Sequence, residues 1–341
     1  MASLEHVRPL NSAWTARQAT PPPRLDLAKV TGYHRLNRTS ELVKFGGGAE
    51  GKIDNFGSGG QVAGGFTVPR PGRDKNADGL LLARSGTQML VTAVDGNSGN
   101  GGAKVASGET LNILGRNFAE GEFNLLGAVK EANERLMQMK HSSLHILAGT
   151  TVVALLIDQR SDRLQLVHAG DSRAYLFRNG ELCLLTRDHN NLDEYLRASA
   201  GRSPDAWSPA FRQLRDLLGR KDPARAYLGF EFPLINNPRI SGLVHDLSLE
   251  YRRADFRHQP TQALGWPITR LTHASGKLKN GDWLIVLTDG ALTSTYGQLA
   301  GAIAANSARS PYQLTTALSR MLSKTVQFGA DDITIAAYHH G

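Results

Sequence analysis

Aspartates in this 341-residue chain recur where apolar, strand-like runs end or begin. These positions are Asp95, Asp171, Asp289, Asp331 and Asp332. A glycine follows Asp95 and Asp289, which leaves each carboxylate at a sheet edge with little steric cover. Several carboxylates at one edge cannot all remain ionised unless cations neutralise them, and Mg²⁺ and Mn²⁺ prefer oxygen ligands. A single Asp-Gly pair is more often an ordinary turn, but the recurrence of the pattern predicts a divalent-metal site.

The other reactive side chains do not suggest a competing site. His145 and His168 lie in apolar, strand-like runs, which favours buried core residues, and His189 is interpreted as a turn residue. The C-terminal His339 and His340 are interpreted as a tail. The sequence contains no H-E-x-x-H, G-x-S-x-G or Cys-His pattern, so covalent catalysis by a protein nucleophile has little support.

The elements that must position the aspartates are mostly strands. Strand patterns occur at 80–82, 89–94, 150–157, 164–168, 174–177, 182–185, 283–288 and 333–338. Asn179-Gly180 is a strong hairpin signal, and the strands from 150 to 185 follow each other without helices, so a largely antiparallel sheet is expected there. Apolar residues at spacings of three and four predict a helix over 123–139, and a second helix is predicted over 312–322.

Two parts of the chain differ from this pattern. Residues 1–65 carry a Pro21-Pro22-Pro23 run and glycine-rich stretches, which predict an N-terminal extension: a partly ordered tail to about residue 40, then loops or edge strands over 41–65. Residues 66–341 form the expected main domain. Within it, residues 190–262 are interrupted by prolines and are interpreted as an irregular insertion with one short helix near 210–218.

Composition narrows the class of protein. With 40% hydrophobic and 21% charged residues the chain is globular, and no apolar run reaches the roughly 18 residues of a membrane helix. The start of the chain lacks the apolar core of a secretory signal. The single Cys183 excludes an internal disulfide framework and a Cys-built zinc site, and it fits a reducing compartment. We therefore expect a soluble, cytoplasmic protein.

The net charge of +8 leaves three classes of partner open, namely nucleic acid, anionic lipid and phosphorylated substrate. A nucleic-acid binder is expected to show a basic stripe with interleaved aromatic residues. Only Tyr251-Arg252-Arg253 with Phe256-Arg257 hints at such a stripe, which disfavours this class. A basic, solvated surface without a specific partner is the simplest alternative.

Taken in chain order, the motifs resemble those of the metal-dependent protein Ser/Thr phosphatases of the protein phosphatase 2C type, the PPM family, in its bacterial form. The matching segments are 73–78, 94–96, 148–151, 169–175, 185–189, 262–265, 288–290 and 331–334. Each segment alone is weak evidence for the family, but their common order over about residues 70–340 is strong evidence. The resemblance implies an α+β fold, a four-layer α-β-β-α sandwich of two mainly antiparallel sheets flanked by helices. It also makes 66–341 a phosphatase 2C-like catalytic domain, in which residues 190–262 occupy the position of the family's flap.

The resemblance further implies a metal-dependent hydrolysis of phosphoserine and phosphothreonine in proteins. The implied ligands of two Mg²⁺ or Mn²⁺ ions are Asp78, Asp95, the Gly96 carbonyl, Asp289 and Asp331. Asp95 would bridge the two ions, and Asp171 together with Asp289 corresponds to a third, weaker metal position. Arg73 would bind the substrate phosphate, while a metal-bridging water attacks phosphorus in line with the leaving oxygen.

Two departures from the family pattern keep an alternative open. Asn97 stands where many eukaryotic members carry a histidine proposed to protonate the leaving group, and Ala77 stands where a Glu or Gln usually precedes the metal aspartate. The alternative is a catalytically weak or silent module that binds phosphoproteins as a regulator or scaffold. Such a module is expected to lose metal aspartates, and Asp78, Asp95 and Asp289 are among those retained here.

The expected partners follow from the same resemblance. They are a phosphorylated protein substrate and a paired Ser/Thr kinase, with no nucleic acid, no membrane and a monomeric state. The arginines of the flap-like insertion are hypothesised to recruit acidic or phosphorylated substrate, since arginine binds phosphate in a bidentate manner. The alternative for this insertion is a solvated surface loop.

Overall fold

The computed structural model describes residues 33–35, 40–45, 51–58, 61–70, 76–97, 102–142, 149–190, 238–254, 260–268, 270–322 and 331–341. Within these residues two antiparallel sheets pack face to face, and helices cover both outer faces. The predicted α+β fold, a four-layer α-β-β-α sandwich, is confirmed. No helix in this part of the chain combines the length and the apolar character needed to span a membrane.

The strands make up two large sheets and one short ribbon. In chain order they are β1 (Tyr33–Arg35), β2 (Ser40–Phe45), β3 (Gly51–Ser58), β4 (Gln61–Val68), β5 (Gly79–Ser85), β6 (Gln88–Val94), β7 (Gly96–Asn97), β8 (Gly149–Thr150), β9 (Val152–Asp158), β10 (Arg163–Ala169), β11 (Arg173–Arg178), β12 (Glu181–Leu184), β13 (Thr272–Lys277), β14 (Asp282–Leu287) and β15 (Ile333–His340). The first sheet has the order β1-β2-β5-β6-β9-β10-β13 and the second has the order β12-β11-β14-β15-β4-β3. β7 and β8, which lie between β6 and β9 in sequence, pair with each other as a short ribbon.

Helices cover each sheet on its outer face. They are α1 (Ala103–Ala119), α2 (Leu125–Ser142), α3 (Pro238–Ala254), α4 (Tyr296–Asn306) and α5 (Pro311–Leu322), with a 3₁₀ turn at Asp289–Ala291. α1 and α2 pack on the first sheet, and α3, α4 and α5 pack on the second. The predicted helices over 123–139 and 312–322 are confirmed as α2 and α5.

The central core explains why the strands read as continuous apolar runs. Along β9, Val153 and Leu155 point between the two sheets, whereas Ala154 and Leu156 point towards α1 and α2. Side chains alternate across a strand, so a strand covered on both faces needs apolar residues at nearly every position. The two sheets therefore form a rigid frame whose strand ends can hold polar groups.

The glycine-rich region before residue 65 contains regular strands. β3 lies at the edge of the second sheet as predicted. The interpretation of 41–65 as loops or edge strands is wrong for β2, which lies between β1 and β5, and for β4, which lies between β15 and β3. A Cβ on Gly65 would lie 2.5 Å from the Ile335 carbonyl oxygen, so this glycine permits close strand packing. The division into an extension at 1–65 and a domain at 66–341 stays a prediction, since residues 1–32 lie outside the described residues.

Three helices, α1, α3 and α4, lie where the sequence pattern did not predict them. In α1, a Cβ on Gly115 would lie 2.6 Å from the Leu42 side chain, so Gly115 allows the helix to approach β2. α3 belongs to the stretch interpreted as an irregular insertion, which is wrong for 238–254. Pro238 begins that helix, at a position where the missing N–H is not needed. Residues 191–237 and 255–259, with the predicted short helix and most of the arginines, lie outside the described residues.

The interpretation of the last histidines as a tail is also wrong. Both belong to β15, where His340 is buried and the His339 ring lies 4.6 Å from the Trp283 ring. The Tyr338 hydroxyl lies 3.0 Å from His340 Nδ1, which ties this end of β15 into the core.

Candidate metal centre

The first sheet brings two of the predicted ligands to its edge. Gly79 at the start of β5 pairs with Val94 at the end of β6. Asp78 precedes β5 and Asp95 follows β6, so the register places both aspartates at the same end of the sheet. Both side chains are buried, with residue exposures of 1% and 6%.

The second sheet supplies the other aspartates at the corresponding end. Leu287 at the end of β14 pairs with Ile335 and with Arg173. Asp289 follows β14, Asp331 precedes β15, and Asp171 precedes β11. We call Asp78, Asp95, Asp171, Asp289 and Asp331 the aspartate cluster.

Carboxylate oxygens of the aspartate cluster converge on one point. One carboxylate oxygen from each of Asp95, Asp171 and Asp289 lies within 4.8 Å of the other two. Asp171 is fully buried, whereas Asp289 and Asp331 are partly exposed. Residues from both sheets thus meet at one point, as the strand-end pattern predicted.

Burial and mutual repulsion perturb the acids of this cluster. Burial raises the pKa of Asp95 well above its usual range, and the charges of Asp289, Asp78, Asp331 and Asp171 raise it further. Burial also raises the pKa of Asp78, although the hydrogen bond from Thr288 opposes this effect. A cation placed among these oxygens would relieve the repulsion.

The two Asp-Gly pairs need glycine because other backbone segments lie against them. A Cβ on Gly290 would lie 2.0 Å from the Asp332 carbonyl oxygen, and one on Gly96 would lie 2.5 Å from the Ala103 carbonyl oxygen. The glycines therefore let neighbouring segments close around the carboxylates. This finding refines the sequence interpretation, which attributed the glycines to low steric cover alone.

Hydrogen bonds to neighbouring residues orient Asp78. The Thr288 hydroxyl donates to Asp78 Oδ2 at 2.7 Å, and Thr288 Oγ1 in turn accepts the Thr334 N–H at 2.8 Å. The Asp78 N–H donates to Asn76 Oδ1 at 3.0 Å. Sequence reasoning included Thr288 in a matching segment without giving it a role; its place one residue before Asp289, at the end of β14, is the signal that could have revealed it.

Asp332 supports the loop before Asp78. It is buried, and its two carboxylate oxygens accept the N–H groups of Arg70 at 2.8 Å and of Ala77 at 2.6 Å. Sequence analysis grouped Asp332 with the strand-end aspartates but gave it no role of its own. The predicted phosphate-binding Arg73 falls between Arg70 and Ala77 and lies outside the described residues.

The segment before Asp171 is held by a histidine. The His189 N–H donates to the Gly170 carbonyl at 2.7 Å, and the Gly170 N–H donates to His189 Nδ1 at 3.3 Å. The prediction of a buried core residue is confirmed for His168, whose ring lies 4.8 Å from that of His189, while His145 lies outside the described residues. Burial lowers the pKa of His168 to about 4. Sequence reasoning read His189 only as a turn residue.

Cys183 is the one thiol of the chain and is buried in β12. Burial, together with the nearby Glu181, raises the pKa of its thiol to about 11. The thiol therefore stays protonated near neutral pH and is a poor nucleophile. Cys183 is therefore an inert residue of the strand.

The residues present fit a divalent metal. Hard cations such as Mg²⁺ and Mn²⁺ take carboxylate and carbonyl oxygens as ligands, and the aspartate cluster supplies carboxylates from two sheets within a few ångströms of one another. Two of its members, Asp78 and Asp95, also have raised pKa values that a cation would lower. Asp78, Asp95, Asp171, Asp289 and Asp331 are therefore the residues that could hold such ions.

Comparison with known proteins agrees with this geometry. Residues 74–200 match the family model described as Protein phosphatase 2C. A Serine/threonine phosphatase stp of Listeria monocytogenes is 29% identical over 145 residues, which covers 39% of this chain and 57% of the relative. Protein phosphatase PhpP of Streptococcus pneumoniae is 25% identical over 177 residues, which covers 47% of this chain and 70% of the relative. The chain thus spans between about half and two thirds of these curated relatives.

The fold extends the similarity to a larger part of the chain. The Streptococcus agalactiae serine/threonine phosphatase superposes with a TM-score of 0.59 at 21% identity, covering 82% of this chain and 99% of the other. The PPM Ser-Thr phosphatase MsPP of Mycobacterium smegmatis gives a TM-score of 0.55 at 21% identity, covering 82% and 98%. The catalytic domain of PstP, solved with two manganese ions, gives 0.55 at 18% identity, covering 81% and 96%. The resemblance to the bacterial PPM phosphatases is confirmed: the chain has their fold, and its residues 74–200 match the protein phosphatase 2C family model.

Proposed function

We propose that this protein is a metal-dependent phosphatase that removes phosphate from phosphoserine and phosphothreonine in proteins. The observation that carries the proposal is the convergence of Asp95, Asp171 and Asp289, from both sheets, within 4.8 Å in a chain of this family. Buried like charges are costly unless a cation compensates them, so the convergence of these carboxylates argues for a metal function.

The ligand assignment is part of the proposal. Asp95 would contact two ions, with Asp78 and the Gly96 carbonyl beside one and Asp289 and Asp331 beside the other. Asp171 would complete a third, weaker position. When bound, Mg²⁺ or Mn²⁺ would supply a metal-bridging water that is deprotonated near neutral pH, and positive charge beside the phosphate.

The chain's own side chains would orient this chemistry. Thr288 and Asn76 hold Asp78, while Asp332 holds the backbone on both sides of the segment that contains Arg73. We infer that Arg73 binds the substrate phosphate, since a guanidinium can donate two hydrogen bonds to it. No protein nucleophile is required, which agrees with the protonated thiol of Cys183.

The test is hydrolysis of a phosphothreonine peptide by the full chain, assayed with Mn²⁺ and with EDTA. Asp95→Asn and Asp289→Asn preserve side-chain shape and should each reduce turnover strongly. Asp162→Asn is the matched control, because its exposed carboxylate lies in the β9–β10 turn at the opposite end of β10 from Asp171. Turnover that is independent of metal, or that survives both site variants, would overturn the proposal.

The binding-module alternative gives a different result in the same assay. It predicts Mn²⁺ binding and phosphopeptide binding without release of phosphate. The pairing with a Ser/Thr kinase, the monomeric state and the cytoplasmic location are part of the proposal and rest on the family resemblance and on the lone cysteine. Light scattering of the purified chain tests the monomeric state directly.

A further inference from the structure

The backbone of Asp95 is held by Thr150, the last residue of β8, and by Thr151, which directly precedes β9. The Thr151 N–H donates to the Asp95 carbonyl at 2.8 Å, and the Thr150 hydroxyl donates to the same carbonyl at 2.9 Å. The Asp95 N–H donates to Thr151 Oγ1 at 3.1 Å. The position of Asp95 therefore depends on Thr151 through both its main chain and its hydroxyl.

The same hydroxyl reaches the segment that carries Asp171. Thr151 Oγ1 lies 2.7 Å from Ser172 Oγ, in the residue that follows Asp171. Because Thr151 Oγ1 already accepts the Asp95 N–H, its own hydrogen is available for Ser172. One buried oxygen thus links the backbones of two aspartates whose carboxylate oxygens lie within 4.8 Å of each other.

The methyl group of Thr151 contacts the other side of Asp171. Gly170 has a φ of +108°, and a Cβ placed on it would lie 2.5 Å from Thr151 Cγ2. Thr151 and Ser172 are fully buried, so water does not take over the hydrogen bonds of either hydroxyl when that hydroxyl is removed. Thr151 therefore touches both neighbours of Asp171 while bonding to Asp95.

We propose that Thr151 is a positioning residue that sets the spacing of Asp95 and Asp171 and thereby the metal affinity of the aspartate cluster. This inference rests on the proposed function, since it takes both aspartates as metal ligands. Thr151 would then determine the metal affinity without being a metal ligand itself. Residues that orient metal ligands contribute strongly to affinity, and their loss typically costs about ten- to hundredfold.

The experiment is calorimetric titration of Mn²⁺ into the metal-free full chain, without substrate. Thr151→Val keeps the shape and the methyl contact with Gly170 but removes the hydroxyl, and it should weaken Mn²⁺ binding by about tenfold or more. Thr151→Ser restores the hydroxyl and should recover affinity close to that of the natural chain. Equal affinity in the natural chain and Thr151→Val would overturn the inference.

Thr92→Val provides the matched control. Thr92 lies in β6, is fully buried, and its hydroxyl has no hydrogen-bond partner among the described residues. The same substitution there should leave Mn²⁺ affinity unchanged, and an equal loss at both threonines would also overturn the inference. If Thr151→Val does not fold by circular dichroism, Ser172→Ala removes the other end of the hydrogen bond and should weaken binding in the same direction.

The outcomes separate this inference from the proposed function. A natural chain that binds no Mn²⁺ contradicts the metal-dependent function itself. A natural chain that binds Mn²⁺ with an affinity insensitive to both Thr151→Val and Ser172→Ala contradicts only the role of Thr151.

Discussion

The protein buries ionisable side chains in two clusters that lie on either side of the 171–173 turn. In the aspartate cluster, carboxylates face carboxylates, and the pKa values of Asp78 and Asp95 are raised by burial and by the charges of neighbouring aspartates. In the second cluster, the Arg173 guanidinium binds both oxygens of Asp188 at 2.8 Å. On the proposed function, the first cluster takes its cation from solution, whereas the second contains the Arg173 guanidinium.

Further hydrogen bonds complete the second cluster, which we call the Arg173 cluster. Its members are Arg173, Tyr175, Asp188, His245 and Ser248. His245 Nε2 lies 2.9 Å from the Ser294 carbonyl, so its other nitrogen, Nδ1, can accept from Arg173 at 3.1 Å. The comparison teaches that the described part of the fold pairs one buried carboxylate with a buried guanidinium, whereas the aspartate cluster brings carboxylates together.

The largest effect is expected from removing the internal cation. Arg173→Met should lower the free energy of unfolding by about 3–5 kcal/mol, because it leaves the Asp188 carboxylate buried without its partner. Urea unfolding at neutral pH measures the loss.

The double variant separates the charge from the packing. Arg173→Met with Asp188→Leu removes both charges and should recover most of the lost stability, as is common when a buried ion pair is replaced by apolar residues. A double variant as unstable as Arg173→Met would show that the hydrogen-bond network, and not the unpaired charge, dominates.

A second prediction concerns the neutral histidine beside this cluster. Burial lowers the pKa of His168 from 6.5 to about 4, and the favourable charge of Asp188 is opposed by Arg173. The unfolded chain therefore takes up a proton on His168 as the pH falls below 6.5 while the folded chain does not, and stability is lost between pH 6.5 and about 4. The pKa shift corresponds to about 3 kcal/mol.

Urea unfolding at several pH values tests this prediction against His168→Gln, which stays neutral throughout. The stability difference between the natural chain and His168→Gln should shift by about 3 kcal/mol in favour of the variant between pH 7 and pH 4. His273→Gln, at an exposed position on the neighbouring strand β13, is measured alongside as the control for the substitution itself. A constant difference for His168→Gln would mean that the ring has the same pKa in the folded and in the unfolded chain.

The third prediction addresses the cluster that lacks a cation. Mn²⁺ at about a hundred times its dissociation constant should stabilise the natural chain by about 2.7 kcal/mol for one ion that binds only the folded state. Asp95→Asn should abolish this gain, and without metal it should be more stable than the natural chain because it removes a buried like charge. Urea unfolding with Mn²⁺ and with EDTA measures both effects.

Asp188→Asn distinguishes the two clusters in the same measurement. It should destabilise the fold by leaving Arg173 without its carboxylate, yet retain the full gain from Mn²⁺, since Asp188 is not a proposed ligand. Loss of the Mn²⁺ effect in Asp188→Asn would show that the clusters are coupled.

Four aspartates of the cluster could be predicted from a local strand-end pattern in the sequence, whereas Asp78 was implied by the family resemblance. Each ligand adjoins an apolar run, and the antiparallel register then brings Asp78 to Asp95 and Asp289 to Asp331. The supporting residues were harder to predict. Thr151 and Asp332 act through bonds to backbone groups 56 and 255 residues away in sequence, which no local pattern contains.

The Arg173 cluster could not be predicted for a related reason. Arg173 and Asp188 lie near each other in sequence, but His245 and Ser248 come from α3, within a stretch whose prolines indicated an irregular insertion. α1 was likewise hidden by glycines such as Gly115 that serve helix-to-strand packing. Glycine and proline mark turns in most sequences, so their uses in packing and at helix starts become visible only in three dimensions.

The smallest predicted effect comes from comparing the Ser248 hydroxyl of the Arg173 cluster with the Thr151 hydroxyl beside the aspartate cluster. Ser248 Oγ donates to Asp188 Oδ2 at 3.1 Å, and the same carboxylate also accepts two hydrogen bonds from Arg173. Ser248→Ala should therefore cost only about 1 kcal/mol in the free energy of unfolding and leave Mn²⁺ affinity unchanged. Thr151→Val should show the opposite balance, with a large loss of affinity. If Ser248→Ala weakens Mn²⁺ binding as much as Thr151→Val does, buried hydroxyls act on the metal centre through general stability, and the distinction between the two clusters fails.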